Sequence, residues 1–336
     1  MTLAVYAGFV AVVLLLVLVD LGVLTRGPHV ISAREAALRT LGWMGLALGF
    51  NVFVYFLYER GWFGWHDRVV DASSSPALKH AVGGAEAAGQ FLAGYLLEQS
   101  LSVDNMMVIA IIFGFFRIPM ANQHRVLLWG IVGALVLRGV MIGAGAALIV
   151  RFSWLIYVFG ALLLVTAVKL LITQEEDVHP ERNLAFRIAR RLYPVSSVPD
   201  GDRFFTRLAD GTRAMTPMFL ALLLVETSDV IFAVDSIPAV FGITTDPFIV
   251  FTSNVFAILG LRSLYFALAG FLHRFHYLKP SLVFVLAFVG VKMLISGKFH
   301  IPTWASLAII AGILVVGVVA SIVRPERRGG GESPSI

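Results

Sequence analysis

The sequence predicts an all-α, polytopic membrane protein of about nine transmembrane helices, organised around two inverted three-helix repeats. Three observations predict it. Of 336 residues, 58% are hydrophobic and 14% charged, whereas soluble domains hold about 45–50% apolar and about 25% charged residues. The apolar residues gather into nine runs near the ~20 residues that a bilayer core requires. Three short motifs also recur, in the same order, in two halves of the chain.

The nine runs are 4–24, 40–58, 88–116, 126–150, 154–173, 216–238, 248–272, 280–296 and 303–323. The first, within "MTLAVYAGFVAVVLLLVLVDLG", has no Lys or Arg before it and exceeds a signal-peptide core, so it reads as a retained span. Asp20 at its inner end reads as interfacial. Orientation follows from Lys and Arg in alternate loops. One set holds 17 of the 26: Arg26, Arg34, Arg39, Arg117, Arg125, seven arginines from Arg182 to Arg213, Arg274, Lys279, Arg324, Arg327 and Arg328. The other set holds Arg60, Arg68, Lys79, Arg151 and Lys298. The N-terminus is therefore expected outside and the C-terminus in the cytoplasm.

The net charge of +5 and pI of about 9.6 then point to anionic lipid of the cytoplasmic leaflet, not to nucleic acid. "ERNLAFRIARRLYP" (181–194) fits a basic interfacial helix. "FFTRLADGTRAM" (204–215) fits a small hairpin about an Asp-Gly turn. A regulatory loop and a plain membrane-surface connector both suit this region. The tail 327–336 is expected to be disordered. The chain contains no cysteine, which excludes disulfides, thiolate metal sites and cysteine catalysis.

The repeat rests on three pairs of stretches. "EQSLSVDN" (98–105) resembles "DVIFAVDS" (229–236), "ALVLRGVMI" (134–142) resembles "AILGLRSLYF" (257–266), and "VTAVKLLI" (165–172) resembles "FVGVKMLI" (288–295). These align Glu98 with Asp229, Asp104 with Asp235, and Arg138 with Arg262. An alternative register matches Glu98 to Glu226. Each copy has three spans, so the second is inverted, an arrangement that places transporter sites near the midplane. The chain divides into a two-span region (1–87), a first repeat (88–173), a cytoplasmic loop (174–215), a second repeat (216–296), and a last span with its tail (297–336).

Five carboxylates fall inside spans: Glu98, Asp104, Glu226, Asp229 and Asp235. Each costs roughly 2.5–3.5 kcal/mol on insertion scales. Arg138 and Arg262 are the central cations, suited either to structural pairing with the acids or to lining a pathway. Lys169 and Lys292 lie near span ends and are expected to snorkel. The acids outnumber the central arginines, so a cation or shared protons must neutralise the rest. Oxygen-rich sites suit Mg²⁺, Ca²⁺ or Mn²⁺, with Asn105, Ser236 and Asn254 as auxiliary neutral oxygens. All eight histidines lie in loops or at span ends, which argues against a His-rich zinc site. At about 100° per residue Asp235 lies opposite Glu226. A shared site therefore predicts a helix broken near Pro238 and local unwinding between Glu98 and Asp104. The absence of a nucleophile pattern favours transport over catalysis, and no tightly bound cofactor is expected.

The chain resembles the TerC family of bacterial integral membrane proteins, most closely its Alx-type members. The resemblance is carried by "EQSLSVDN" (98–105), "GALVLRGVMI" (133–142), "VETSDVIFAVDSIPA" (225–239), "TTDPFIVFTSNVFAILGLRSLYF" (244–266) and "HIPTWASL" (300–307). It implies the LysE-like transporter architecture, residence in the bacterial inner membrane, and export of Mn²⁺ as the transported ion. The family's intramembrane acids map onto Glu98, Asp104, Glu226, Asp229 and Asp235. Gln99 stands where relatives often carry lysine. Proton antiport is one way to drive such export. Export of another divalent cation such as Ca²⁺, and a metal-sensing membrane scaffold that transports nothing, are the alternatives.

Overall fold

A long apolar segment in lipid must satisfy its own backbone hydrogen bonds, and a helix does so locally. The computed structural model describes residues 2–22, 32–63, 82–172, 183–196, 200–208, 210–268, 277–299 and 301–323. The elements run α1 (Thr2–Gly22), α2 (Ala33–Glu59), α3 (Gly84–Phe115), α4 (Met120–Arg151), α5 (Leu155–Ile172), α6 (Leu184–Leu192), β1 (Phe205–Arg207), β2 (Arg213–Met215), α7 (Pro217–Phe241), α8 (Pro247–Leu268), α9 (Leu278–Ile295) and α10 (Thr303–Val323). Among the described residues eight helices, α2–α5 and α7–α10, are long and apolar enough to cross a membrane, and α1 adds a shorter apolar stretch, Ala4–Leu18. The protein is an all-α polytopic membrane protein. The expected tail 327–336, loop residues such as Arg26, Arg274, His273 and His276, and the side chain of Asp20 lie outside the described residues.

Local chemistry sets the helix starts. Ser32 accepts the N–H of Glu35 at 3.2 Å and caps α2, and Arg39 bonds Glu35 one turn back at 2.6 Å. This extends α2 ahead of the expected start at 40. Pro247 opens α8, and the N–H of Phe248 reaches the Asp246 carboxylate at 2.8 Å, an N-cap. Between α5 and α7, Asn183 caps α6, and β1 pairs antiparallel with β2 about Asp210-Gly211. Gly211 has φ +82°, a conformation glycine adopts without a Cβ penalty. The Asp210 carboxylate accepts the N–H of Thr212 at 2.9 Å, which holds its pKa below the ordinary carboxylate value.

α8 is the axis of the bundle, with 89% of its apolar window buried. α2, α3 and α4 pack on it. α3 also meets α7 and α10, α4 meets α7, and α5 lies along α9. Glycines permit close crossings, the usual device where lipid gives no hydrophobic drive. A Cβ on Gly160 would stand 3.0 Å from the carbonyl of Gly290, joining α5 to α9.

The structure departs from three expectations. α7 runs unbroken through Pro238. The proline stands one turn from the helix end, so it deprives only the carbonyl of Val234, and the N–H of Gly242 returns to Pro238 at 3.0 Å. α3 is likewise continuous between Glu98 and Asp104, because neither acid needs to share a face with the other. Lys292 does not snorkel. It is 9% exposed and held within electrostatic reach of Glu86 at the start of α3, where a carboxylate partly offsets its burial.

Candidate functional site

The site forms where α3 crosses α7. Glu98 and Asn105 are seven residues apart on α3, and Asp229 and Ser236 are seven apart on α7. Seven residues are close to two helical turns, so each pair shares a face. Asn105 donates to Asp229 at 3.3 Å, while Ser236 lies against Glu98 at the other end of the crossing. The two helices are therefore antiparallel. Gly94, one turn before Glu98, permits close approach of α3 to both α7 and α8, since a Cβ there would stand 3.3 Å from Val240 and 2.9 Å from Ser253.

Arg138 enters from α4. Its Nε donates to Asp229 Oδ2 at 3.1 Å and its Nη2 to Asp229 Oδ1 at 2.8 Å. Its Nη1 donates to Glu98, to Ser236 at 3.3 Å, and to Asn254 Oδ1 on α8 at 3.1 Å. Asn254 is oriented by its own amide, which donates to the carbonyl of Val250 at 3.0 Å. Glu98, Arg138 and Asp229 are 1%, 4% and 5% exposed, so the ion pairs are desolvated and must be closely matched to persist. α4 is parallel to α7: a Cβ on Gly130 would stand 3.3 Å from Val225, and one on Gly145 2.9 Å from Phe241.

Two carboxylates thus face one guanidinium, and the oxygens are not all used. Among the described residues, Glu98 Oε2 and Asn105 Oδ1 are buried without a hydrogen-bond donor. Such orphaned acceptors are uncommon in folded interiors. Glu226, one turn before Asp229, is half-buried in the space left by the missing side chain of Gly133. Its Oε2 is also buried without a donor.

The five expected acids do not converge. Glu98 and Asp229 meet, and Glu226 flanks them within electrostatic reach of Asp229. Asp235 points to α5, where Thr166 donates to it at 2.8 Å. Asp104 is half-buried on α3, six residues and so about 120° around the helix from Glu98. Among the described residues no group of three or more His, Asp or Glu side chains is placed to hold a metal ion. Asn105, Ser236, Asn254 and Arg138 all join the cluster. Arg262 is 2% exposed on α8, two turns beyond Asn254, and does not contribute to the hydrogen bonds described above. Gln99 turns away to α8, its amide 3.1 Å from Tyr95 and 3.5 Å from a Cβ on Gly260.

One buried acid escaped the sequence reading. Asp246 is 0% exposed, caps α8, and accepts a hydrogen bond from Tyr58 on α2. The signal was available: an Asp-Pro ahead of an apolar run is a helix start.

The family described as "Integral membrane protein TerC family" matches residues 83–329. The chain belongs to the TerC family. Its relatives extend over nearly the whole length. An uncharacterised membrane protein of Myxococcus xanthus, STKORF319, is 46% identical over 319 residues, covering 95% of this chain and 92% of the relative. A protein of Escherichia coli K12 named "Putative membrane-bound redox modulator Alx" is 42% identical over 331 residues, covering 97% of each. A membrane protein of Rickettsia bellii is 35% identical over 316 residues, covering 94% of this chain and 96% of the relative. No solved structure matches. The TerC match begins at residue 83, just ahead of α3, and so takes in every residue of the Glu98–Arg138–Asp229 cluster.

Proposed function

We propose that this TerC protein is a secondary transporter that exports Mn²⁺ from the cytoplasm through the crossing of α3 and α7. The supporting observation is the desolvated Glu98–Arg138–Asp229 cluster, with two carboxylates for one guanidinium and donor-free oxygens on Glu98 and Asn105. Hard oxygen donors of this kind suit Mn²⁺, Mg²⁺ or Ca²⁺. Arg138 is the resident counter-charge. A divalent ion competes with its guanidinium for Glu98 and Asp229, with Asn105, Ser236 and Asn254 supplying neutral oxygens. Glu226 lies on the hairpin side of the cluster and receives the ion first. Return of protons to the carboxylates gives Mn²⁺/H⁺ antiport.

The pairing also supports the inverted repeat in the register that aligns Glu98 with Asp229. That register makes Asn105 the counterpart of Ser236, and each of them reaches the other helix's acid. Two inverted bundles that rock about this crossing would expose the acids to either side in turn. Residence is the bacterial inner membrane, with the N-terminus outside and the C-terminus inside.

Cellular manganese content tests the reading, measured by elemental analysis in a manganese-sensitive bacterium. Expression should lower cellular Mn²⁺ several-fold and raise tolerance, and Glu98→Gln or Asp229→Asn should abolish both effects. Unchanged manganese content on expression defeats the proposal, and selective loss of Ca²⁺ would reassign the cargo. The Escherichia coli relative's name points to redox modulation. Such a role here could not use thiol–disulfide exchange, because the chain has no cysteine.

A further inference from the structure

The hairpin ahead of α7 has a register that needs an explanation. Arg207 on β1 stands directly opposite Arg213 on β2. Like charges directly opposite in a ladder are destabilising. Both side chains are exposed, and among the described residues neither has an ion-pair partner. They line one open cleft of about 760 Å³ together with Arg203, Tyr193, Thr206 and Asp200. Asp200 is already engaged: it accepts from the Thr206 hydroxyl at 2.7 Å and faces Arg203 at 3.7 Å. Three arginines and one aspartate therefore line the cleft.

The cleft opens at the end of α6, since Tyr193 is the residue that follows that helix. α6 leaves an apolar stripe exposed: Leu184, Ile188 and Leu192, at 68%, 48% and 75%. Four-residue spacing puts all three on one face. The opposite side is tied down by Phe186, which is 4% exposed and 6.1 Å from the ring of Phe116 just past α3. β2 passes through Thr216 directly into α7. The stripe and the cleft are thus held at the level where α3 ends and α7 begins.

We propose that this cleft binds the phosphate of an anionic phospholipid headgroup, while the acyl region of the same leaflet receives the stripe of α6. Arginine holds phosphate through paired, charge-assisted hydrogen bonds. A phosphate shared by Arg207 and Arg213 turns their repulsion into a bridge. A free phosphate would satisfy the arginines but leave Leu184, Ile188 and Leu192 in water. A basic helix with an apolar face lying in the bilayer interface satisfies both. This inference is independent of what the protein transports.

The experiment titrates the full-length protein in neutral detergent with short-chain phosphatidylglycerol, with phosphatidylcholine of equal chain length, and with inorganic phosphate. Phosphatidylglycerol should bind saturably and at least tenfold tighter than phosphatidylcholine. Removing both charges, by Arg207→Gln with Arg213→Gln, should weaken it roughly thirtyfold. Arg207→Lys with Arg213→Lys keeps the charge but gives up the paired geometry, and should bind between wild type and the glutamine pair, which separates loss of the site from loss of the fold. Leu184→Ser with Leu192→Ser should weaken phosphatidylglycerol binding and leave phosphate binding unchanged. Equal affinity for the two lipids, unaltered binding by the glutamine pair, or inorganic phosphate binding as tightly as phosphatidylglycerol would each overturn the proposal.

Discussion

Arg138 holds Asp229 in a two-pronged grip, with Nε on one carboxylate oxygen at 3.1 Å and Nη2 on the other at 2.8 Å. The fork matches the planar carboxylate, and the remaining nitrogen is left to bond Glu98 across the helix crossing. A single guanidinium from α4 thereby sets the separation of α3 and α7.

Removing that guanidinium leaves two buried carboxylates without their cation. Arg138→Gln should cost about 3–5 kcal/mol of stability, read as a large drop in the thermal unfolding midpoint in detergent. Adding Asp229→Asn should restore part of the loss, with a coupling of at least about 1 kcal/mol. Additive single effects would mean the two residues do not interact as described.

Asp229 and Asp235 should behave differently although both are intramembrane aspartates. Asp235 bonds Thr166 on α5, whereas the acids that Arg138 pairs with are Glu98 and Asp229. Asp235→Asn keeps a side chain that can pair with Thr166, and should leave manganese tolerance within about twofold of wild type, whereas Asp229→Asn should remove it. A growth series in rising Mn²⁺ distinguishes them. Equal loss in both variants would put Asp235 on the ion's route.

Gly133 makes room for Glu226. A Cβ at Gly133 overlaps the Glu226 carboxylate, so Gly133→Ala should destabilise by about 1–3 kcal/mol through overpacking or force Glu226 out of its position. Shortening the acid in Gly133→Ala with Glu226→Ser should relieve the clash and restore the unfolding midpoint. A Gly133→Ala protein as stable and active as wild type would show that Glu226 does not occupy this space.

Asp246 should prove structural. Asp246→Ala removes a helix cap worth about 0.5–2 kcal/mol and also a partner of Tyr58. Tyr58→Phe added to Asp246→Ala should then cost less than Tyr58→Phe alone. The measurement is again the unfolding midpoint, and full additivity would separate the two residues.

Much of this was legible in the chain. The nine apolar runs coincide with nine helices to within several residues, because apolar length is a local property. Charged residues inside those runs stood out on energetic grounds alone, and Glu98, Asp229, Arg138, Asn105, Ser236 and Asn254 all meet. Membership of one face was legible too, since Glu98 with Asn105 and Asp229 with Ser236 each span two turns. The expectation that Asp104 and Asp235 share the site failed for the same reason. They lie on other faces, and the helices do not break to bring them round.

The sequence by itself determined the all-α membrane architecture, the acids that the bilayer makes costly, and the small polar hairpin about Asp210-Gly211. Each follows from hydropathy, charge or turn chemistry within a few residues. Only the tertiary structure decided which cation meets which acid. Glu98, Arg138, Asp229 and Asn254 come from four helices, and their meeting depends on how those helices rotate and cross. Glycines such as Gly94 and Gly133 govern that approach, and close packing between distant segments leaves no periodic trace along the chain.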